Sequence, residues 1–279
     1  MEPVLARKMW RTLEPYHGLI YFTPEAEAAY APFGLQGRGG YFASRAAAMG
    51  PVPAEVVVAT FFNFDPRLVR MAIPLAWERA TPEQWREARL TAIDRALRSV
   101  LGDTIESTEV AEAAELARMA AEGCTSPGRP LYAAHADLAW PDEPHLVLWH
   151  AITLLREYRG DGHVACLTAD GFDGCQALVM HAGMGDVGAK TLAASRGWSD
   201  VAWSEAVAEL ATRGLVTADG ALTDEGRAQR QALEDRTDEL AMAPWRHLGH
   251  ERCDQLRAFV RPFSRAIVEG GSFGFREES

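Results

Sequence analysis

The stretch SRGWSDVAWSEAVAELATRGLVTADGALTDEGR, residues 195–227, decides the fold prediction. Ser199 or Asp200 can cap a helix, because a side-chain oxygen at that position accepts a hydrogen bond from a free N–H group of the first turn. Gly214 stands where a left-handed residue commonly ends a helix. Apolar residues lie between them at helical spacing, at Trp203, Val207, Leu210 and Ala211. The first half of the stretch therefore predicts one helix.

The second half predicts a hairpin and a further helix. Leu215-Val216 and Ala221-Leu222 flank an Asp219-Gly220 turn, a pattern typical of two short paired strands. Thr223 then caps the next helix. Together with a helix predicted at 188–195, this order of elements predicts a winged helix-turn-helix over residues 188–230.

The face that would meet DNA is acidic. A recognition helix and wing that bind DNA need Arg and Lys to contact phosphates and base edges. From residue 196 to residue 222 the two basic residues are Arg196 and Arg213, and the four acidic ones are Asp200, Glu205, Glu209 and Asp219. We therefore expect no nucleic-acid partner.

The composition of the whole chain favours a cytoplasmic protein. Its 279 residues are 48% hydrophobic and carry a formal net charge of −11, which opposes attraction to phosphate backbones or anionic lipid. The four cysteines have no C-x-x-C spacing, so we expect reduced thiols. The N-terminus has no signal-peptide layout and no apolar run is long enough to span a membrane, so we expect no membrane partner. The composition identifies no cofactor, and it leaves open whether a metal or haem is bound.

The rest of the sequence predicts a mainly α protein with a multi-helical N-terminal domain. Thr23-Pro24-Glu25 and Thr81-Pro82-Glu83 each supply a capping hydroxyl, a proline at the first helical position and an acid near the positive helix end. Val56-Val57-Val58 favours a strand by residue type, but a lone strand lacks a partner, so we predict a helix over 54–61. The mixed stretch 124–130 is a candidate boundary. We predict a helical domain with a candidate ligand pocket at 1–125, and a region at 126–279 that holds the winged helix-turn-helix and the C-terminal helices.

Polar side chains in aromatic surroundings mark a candidate site in the N-terminal half. Arginine binds carboxylates and phosphates as a planar fork, so several arginines near tyrosine and histidine would hold an acidic group on an aromatic ligand. The ligand-binding candidates here are Arg7, Arg11, Arg38, Tyr41, Arg45 and Asn63, and the catalytic candidates are His17 and Tyr21. The alternative is that these arginines form structural ion pairs with Glu14, Glu25 and Asp65.

A second candidate cluster lies in LWHAITLLREYRGDGH, residues 148–163, where Trp149, His150 and Arg156 are further ligand-binding candidates. The turn Arg159–His163 predicts the end of a helix over 145–158 and the start of another over 162–169, with His163 in its first turn. The dipole there disfavours a protonated imidazole, so His163 is a catalytic candidate for a general base, and the alternative is a structural histidine. The histidine spacing supports no metal site. We expect the two clusters to face each other across a cavity.

Longer strings of the sequence resemble a known family. HGLIYFTPEA, GGYFASRAA, ATFFNFDPRLV, WPDEPHLVLWHAITLLREYRGDGHVACL and ELAMAPWRHLG are similar to an actinobacterial family labelled helix-turn-helix family protein, over nearly residues 3–268. The pattern RGLV followed by DG-x-LT-x-x-GR, at Arg213–Val216 and Asp219–Arg227, resembles the winged helix of MarR-type regulators. The resemblance implies a winged helix-turn-helix, and no catalytic residues are carried over from it. Acidic residues stand here in place of the basic recognition helix of working MarR-type proteins.

These observations predict a small-molecule-binding winged-helix protein in which the winged helix is a scaffold. The ligand would carry an acidic group. The His and Tyr candidates would suit an enzyme of actinobacterial secondary metabolism that acts on an acidic or aromatic metabolite by acid–base chemistry. The alternative is a ligand-responsive, MarR-like DNA-binding transcription regulator. The sequence does not decide whether the chain is an enzyme or whether it forms a homodimer.

Overall fold

A computed structural model describes residues 1–185 and 187–270, and these residues form fifteen α-helices. The N-terminal helices are α1 (Val4–Gly18), α2 (Pro24–Tyr30), α3 (Arg38–Ala46), α4 (Ala54–Thr60), α5 (Pro66–Arg79), α6 (Pro82–Leu101), α7 (Thr108–Glu122) and α8 (Pro130–Ala136). They are followed by α9 (Pro144–Ala169), α10 (Gly174–Ala182), α11 (Ala189–Arg196), α12 (Asp200–Thr212), α13 (Asp224–Leu240), α14 (Ala243–Leu248) and α15 (His250–Glu269). The prediction of a mainly helical protein is confirmed, including a helix at Val56-Val57-Val58.

The long helix α9 lies at the centre of the main core. Its residues Leu148 and Ile152 are fully buried, together with Met9 of α1 and Leu97 of α6. Helix α9 packs against α7, α1, α8 and α13, and α15 packs against α1 and α7. Helices on both sides of the predicted boundary near residue 125 therefore share this core, and the division into two domains stays a prediction.

The predicted break at Arg159–His163 is wrong, because α9 runs without interruption from Pro144 to Ala169. Gly162 and Asp161 in this stretch serve packing against α8 and the residue before it instead of helix termination. A Cβ atom on Gly162 would lie 2.8 Å from Nη1 of Arg129, so the glycine leaves room for that guanidinium. Asp161 accepts a hydrogen bond of 2.9 Å from the backbone N–H of Tyr132, in the first turn of α8. His163 consequently lies in the last third of a long helix and not in a first turn.

Helices α10, α11 and α12 form a three-helix segment, in which α10 and α12 share a second, smaller core with the end of α9 and with α13. Leu210 of α12 is fully buried against Val179 of α10 and Leu233 of α13. The predicted caps are present, since Ser199 Oγ accepts from the N–H of Ala202 at 3.2 Å and Thr223 Oγ1 accepts from that of Gly226 at 3.0 Å. In the described part of the chain, the hairpin predicted at 215–222 is reduced to one antiparallel bridge between Val216 and Leu222.

The three-helix segment is attached to the loop that precedes α5. The backbone N–H of Asp65 donates to the carbonyl oxygen of Arg196 at 2.9 Å, and the indole N–H of Trp198 donates to the carbonyl oxygen of Asn63 at 2.9 Å. Gly174, the first residue of α10, approaches the same loop so closely that a Cβ atom would lie 2.0 Å from the carbonyl oxygen of Phe62. These contacts bring the end of α11 to the N-terminal helices.

Across the described residues, no helix combines the length and the apolar character that a membrane crossing requires.

Candidate functional site

A cavity of about 290 Å³ lies where α1, α3, α9, the loop after α4 and the end of α11 meet. We call it the arginine cavity, because Arg45, Arg156, Arg159 and Arg196 line it. Five residues predicted for the site are in its wall: Tyr41, Arg45, Asn63, Arg156 and His163. These five residues of the two sequence clusters therefore line one cavity, and their role as a ligand site stays a prediction.

Glu157 is the central anion of this cavity. It is 2% exposed, and its carboxylate accepts from Arg45 at 2.7 Å and from Arg156 at 3.1 Å. Burial alone would raise the pKa of Glu157, but the charges of the two arginines outweigh it and lower this pKa to about 2. Arg45 also donates to the Tyr41 hydroxyl at 2.5 Å. The carboxylate is therefore ionised at neutral pH and holds both guanidinium groups in the wall.

Two of the arginines have further carboxylate partners. Arg156 pairs with Glu14 of α1 at 3.1 Å, and Arg159 pairs with Glu234 at 3.0 Å and Asp238 at 2.9 Å, both on α13. The Arg159 guanidinium also lies 5.0 Å from the centre of the Trp10 ring, within the range of a cation–π contact. These side chains are neutralised by protein groups and shape the wall.

Arg196 differs from the other three arginines. Within residues 1–185 and 187–270 no carboxylate pairs with it, and its one side-chain hydrogen bond is to Ser195 Oγ at 3.3 Å. Its guanidinium lies 4.7 Å from the centre of the Phe64 ring. Burial, and the nearby charges of Arg45 and Arg156, lower its pKa from the ordinary value. An uncompensated cation in a cavity wall favours an anionic ligand.

Asn63, beside Arg196 in the wall, is also incompletely bonded. Its backbone carbonyl is occupied by Trp198, but its buried side-chain Oδ1 has no hydrogen-bond partner among the described residues. A buried amide oxygen without a donor costs about 1–3 kcal/mol of stability. A ligand N–H or O–H group would satisfy this atom.

His163 reaches the cavity as a neutral imidazole. Burial lowers its pKa to about 4. Its Nδ1 lies 3.0 Å from Thr237 Oγ1, and the Thr237 hydroxyl donates its own hydrogen to the carbonyl of Leu233 at 2.8 Å. Nδ1–H of His163 must therefore be the donor to Thr237, which leaves Nε2 as the unprotonated nitrogen.

His17 and Tyr21, the other two catalytic candidates, do not line the arginine cavity. His17 is fully buried, with Nδ1 3.0 Å from Thr153 Oγ1 and Nε2 2.7 Å from the Tyr21 hydroxyl. The Thr153 hydroxyl donates to the carbonyl of Trp149, so Nδ1–H donates to Thr153 and Nε2 accepts from Tyr21. Burial and then the charges of nearby arginines hold the pKa of His17 well below its usual value. Both ring nitrogens of His17 are therefore bonded, and His17 holds the Tyr21 hydroxyl in position.

Arg7, Arg11 and Arg38 lie outside the cavity. Arg7 forms ion pairs with Asp235 at 3.1 Å and Asp238 at 2.8 Å, on α13. Arg11 is exposed, and Arg38 is exposed and donates to the carbonyl of Ala194 on α11. Arg7 therefore forms structural ion pairs, which is the alternative that the sequence left open. Its partners are Asp235 and Asp238, and not Glu14, Glu25 or Asp65.

Trp149 and His150 also lie outside the arginine cavity. Trp149 donates its indole N–H to the carbonyl of His17 at 3.3 Å and stacks on the His17 ring at 5.8 Å. Both residues line a separate cavity of about 250 Å³ beside α6, together with Arg89 and His135. Sequence reasoning missed Arg89, because it stands in an ordinary helical sequence, EARLTAIDRA.

A third cavity, of about 250 Å³, adjoins the arginine cavity and reaches the three-helix segment. Trp10, Asn63, Arg159, His163 and Arg196 line both cavities. The walls of the adjoining cavity are largely apolar and include Leu167, Phe172, Leu178, Met180, Leu192 and Leu233. A molecule that spans the two cavities would meet charge at one end and apolar side chains at the other.

The three-helix segment offers few positive charges to a partner. Arg196 lines the cavities, and Arg213 donates to the carbonyls of Gly171 and Asp170 at 3.3 and 3.1 Å. The exposed residues of α12 include Asp200, Glu205 and Glu209, and α12 contains no Lys or Arg. Lys190 of α11 is exposed. In the described part of the chain no group of three His, Cys, Asp or Glu residues is arranged to hold a metal ion.

Comparison with known proteins gives one family match. Residues 6–274, nearly the whole chain, match the model of a family described as a helix-turn-helix family. No curated protein and no solved structure matches the chain.

Proposed function

The chain belongs to this helix-turn-helix family, and from that premise we propose that it binds a small organic acid in the arginine cavity and the adjoining apolar cavity. In this proposal the helix-turn-helix is the three-helix segment, and the bridge between Val216 and Leu222 is a reduced wing. The segment forms one wall of the binding site and is a scaffold.

The observation that carries the proposal is the position of Arg196. It is the last residue of α11, it lines both cavities, and no carboxylate in the described residues neutralises it. A charged side chain without a partner in such a place is costly. A ligand carboxylate or phosphate would supply the missing charge.

The shape and polarity of the two cavities define the ligand class. The acidic group would bind Arg196, a donor on the ligand would bind Asn63 Oδ1, and an apolar body would lie against Phe172, Leu178 and Leu192. Sites of this kind are mostly apolar, with a few polar groups that fix orientation. A two-ring aromatic carboxylate such as 2-naphthoate combines these features and is a suitable probe.

Catalysis, if the protein performs it, rests on His163. Its Nε2 carries a lone pair at neutral pH. As a general base, Nε2 would remove a proton from a metabolite bound within its reach. His17 and Tyr21 are bonded to each other outside the cavity, so this geometry gives them no direct part. A role in actinobacterial secondary metabolism stays a prediction.

We expect the substitution Arg196→Gln to weaken the binding of 2-naphthoate by about 10- to 100-fold, since a hydrogen bond to a charged group contributes about 1.5–3 kcal/mol. Isothermal titration calorimetry of the full-length protein measures this effect. Lys190→Gln is the matched control, because Lys190 is an exposed cation on the same helix, and it should leave the affinity unchanged. Equal affinities of the wild type and the Arg196→Gln variant would refute the proposed site.

A second candidate, favoured by the family match, is a ligand-responsive DNA-binding regulator. Its ligand would bind at the contact between the three-helix segment and the N-terminal helices and change how the segment is docked. The acidic exposed side of α12 and the internal bonding of Arg213 count against it.

We expect no measurable affinity for duplex DNA at physiological salt, because phosphate contacts supply most of non-specific affinity and α12 contains no cation. Fluorescence anisotropy with the DNA upstream of the protein's own gene tests this, at low and at physiological salt. Sub-micromolar, sequence-specific binding would replace the scaffold proposal with the regulator. Since helix-turn-helix regulators commonly bind two half-sites as dimers, sedimentation of the same sample would show whether the protein forms a homodimer.

A further inference from the structure

The cavity beside α6 holds a buried cation that no carboxylate of residues 1–185 and 187–270 neutralises. Arg89 is 4% exposed, and its Nη2 donates to the Tyr21 hydroxyl at 3.2 Å. Its Nε and Nη1 have no hydrogen-bond partner, and no carboxylate pairs with it, among the described residues. Its guanidinium lies 5.6 Å from the centre of the Tyr21 ring and 5.2 Å from that of Trp149. The rings hold the guanidinium in position but cannot satisfy its free N–H groups.

Two buried histidines line the same cavity. His150 is 6% exposed, and its Nε2 has no partner within the described ranges. Burial lowers the pKa of His150 and of His135 to about 4 in each case, so both are neutral at physiological pH. Arg89 is therefore the positive charge in the buried part of this cavity, and His150 Nε2 adds a third unsatisfied nitrogen to Nε and Nη1 of Arg89.

The rest of the wall is mainly apolar, and its outer part carries charges of both signs, since Arg86 lines it beside Glu83 and Glu87. Leu90, Leu138, Ala139, Pro141 and Trp149 supply the apolar surface. Glu83 and Glu87 also line the cavity and are exposed, and Glu83 pairs with Arg86 at 3.1 Å. One buried positive charge behind exposed carboxylates suits an anion with a single charge better than a phosphate with two.

We propose that this cavity is a second ligand site, specific for a small monocarboxylic acid with a flat apolar body. The carboxylate binds the free N–H groups of Arg89, and the body fills the space between Leu90, Pro141 and Trp149. The volume of about 250 Å³ limits the ligand to roughly one aromatic ring. The site is distinct from the arginine cavity, since the residues that line one do not line the other.

Titration calorimetry of the full-length protein with sodium benzoate, and with benzamide as the uncharged analogue, tests the site. We expect saturable benzoate binding, weaker binding of benzamide, and a loss of benzoate affinity of about 10- to 100-fold in the Arg89→Gln variant. Arg95→Gln, an exposed position six residues later on α6, should bind benzoate as the wild type does. Absence of saturable benzoate binding in the wild type, or unchanged affinity in Arg89→Gln, overturns the proposal.

A second variant covers the case in which Arg89→Gln fails to fold. Ala139 is exposed and lines the cavity, so Ala139→Phe fills the space without removing a polar group. We expect this variant to lose benzoate binding while it keeps the wild-type circular dichroism spectrum, and unchanged binding would contradict the site. The Arg196→Gln variant should still bind benzoate, so the result does not depend on the arginine cavity.

Discussion

The protein is expected to unfold cooperatively as the pH falls from about 6.5 towards 4. The reason is that three buried histidines, His135, His150 and His163, have pKa values lowered by burial from 6.5 to about 4. Between these two pH values the unfolded chain binds protons that the folded chain excludes, so acid favours unfolding. The pKa of fully buried His17 is lowered in the same direction.

The size of the effect is comparable with the whole stability of a domain. Each of the three histidines contributes a loss of about 3 kcal/mol by pH 4, because one pKa unit corresponds to about 1.4 kcal/mol. Their sum lies within the roughly 5–15 kcal/mol of a typical native protein. Asp161 acts in the opposite direction, since burial raises its pKa to about 6 and the folded state gains protons there. Glu157 and Glu234, with pKa values of about 2, favour unfolding only below about pH 4.5.

Circular dichroism at 222 nm between pH 8 and pH 4 would show this transition, and urea titration at each pH would give the slope of stability. His163→Asn keeps a donor for Thr237 and removes one of the three titrating histidines. The stability of this variant should therefore depend less steeply on pH than that of the wild type. His250→Gln is the control, because His250 is 71% exposed and should leave the slope unchanged. Full helicity down to pH 4 with no loss of urea stability would contradict the prediction.

Glu157→Gln should destabilise the protein by about 3–5 kcal/mol, the usual cost of breaking a buried ion pair on one side. The amide cannot neutralise Arg45, whose side chain is 7% exposed and whose remaining partner in the described residues is the Tyr41 hydroxyl. Arg156 retains Glu14. The loss of stability therefore comes mainly from the buried guanidinium of Arg45, which is left without a carboxylate. Urea unfolding at pH 7 measures this loss.

The control for this substitution is Glu55→Gln. Glu55 pairs with Arg70 at 2.7 Å, but both side chains are more than half exposed, so the expected loss of stability is much smaller than that of Glu157→Gln. An anion offers a second readout. Because 2-naphthoate can replace the missing carboxylate beside Arg45, it should raise the melting temperature of Glu157→Gln more than that of the wild type. Equal losses in the two variants would mean that Glu157 is not the central anion of the cavity.

Helix positions could be predicted where the local sequence determines them. Thr81, Ser199 and Thr223 each act as the cap that their residue type indicates. The Gly-Asp-Gly stretch in α9 resembles a helix end, but Asp161 and Gly162 are explained by Tyr132 and Arg129, which approach from outside the helix. The short helices α8 and α14 were not predicted, since each is short and neither begins with a capping side chain.

The candidate site could be predicted as a kind of chemistry but not residue by residue. The sequence indicates that arginines and aromatic residues would meet His163, and Tyr41, Arg45 and Arg156 do so. It cannot show which arginines already have partners: Arg7 meets Asp238, 231 positions later, whereas Arg196 meets no carboxylate in the described residues. The separation of Trp149 and His150 into another cavity depends on the rotation of α9, which tertiary packing sets.

The backbone amide proton of Asp65, which is bonded to the carbonyl of Arg196, reports whether the three-helix segment detaches from the N-terminal helices. A hydrogen-bonded amide exchanges with deuterium only when its bond opens, at a rate set by the free energy of local opening. A ligand held by the Arg196 guanidinium would slow deuteration at Asp65, whereas a three-helix segment that detaches to bind another molecule would expose the amide and accelerate it. Nuclear magnetic resonance of this single backbone proton would thus distinguish a three-helix segment that stays docked from one that detaches.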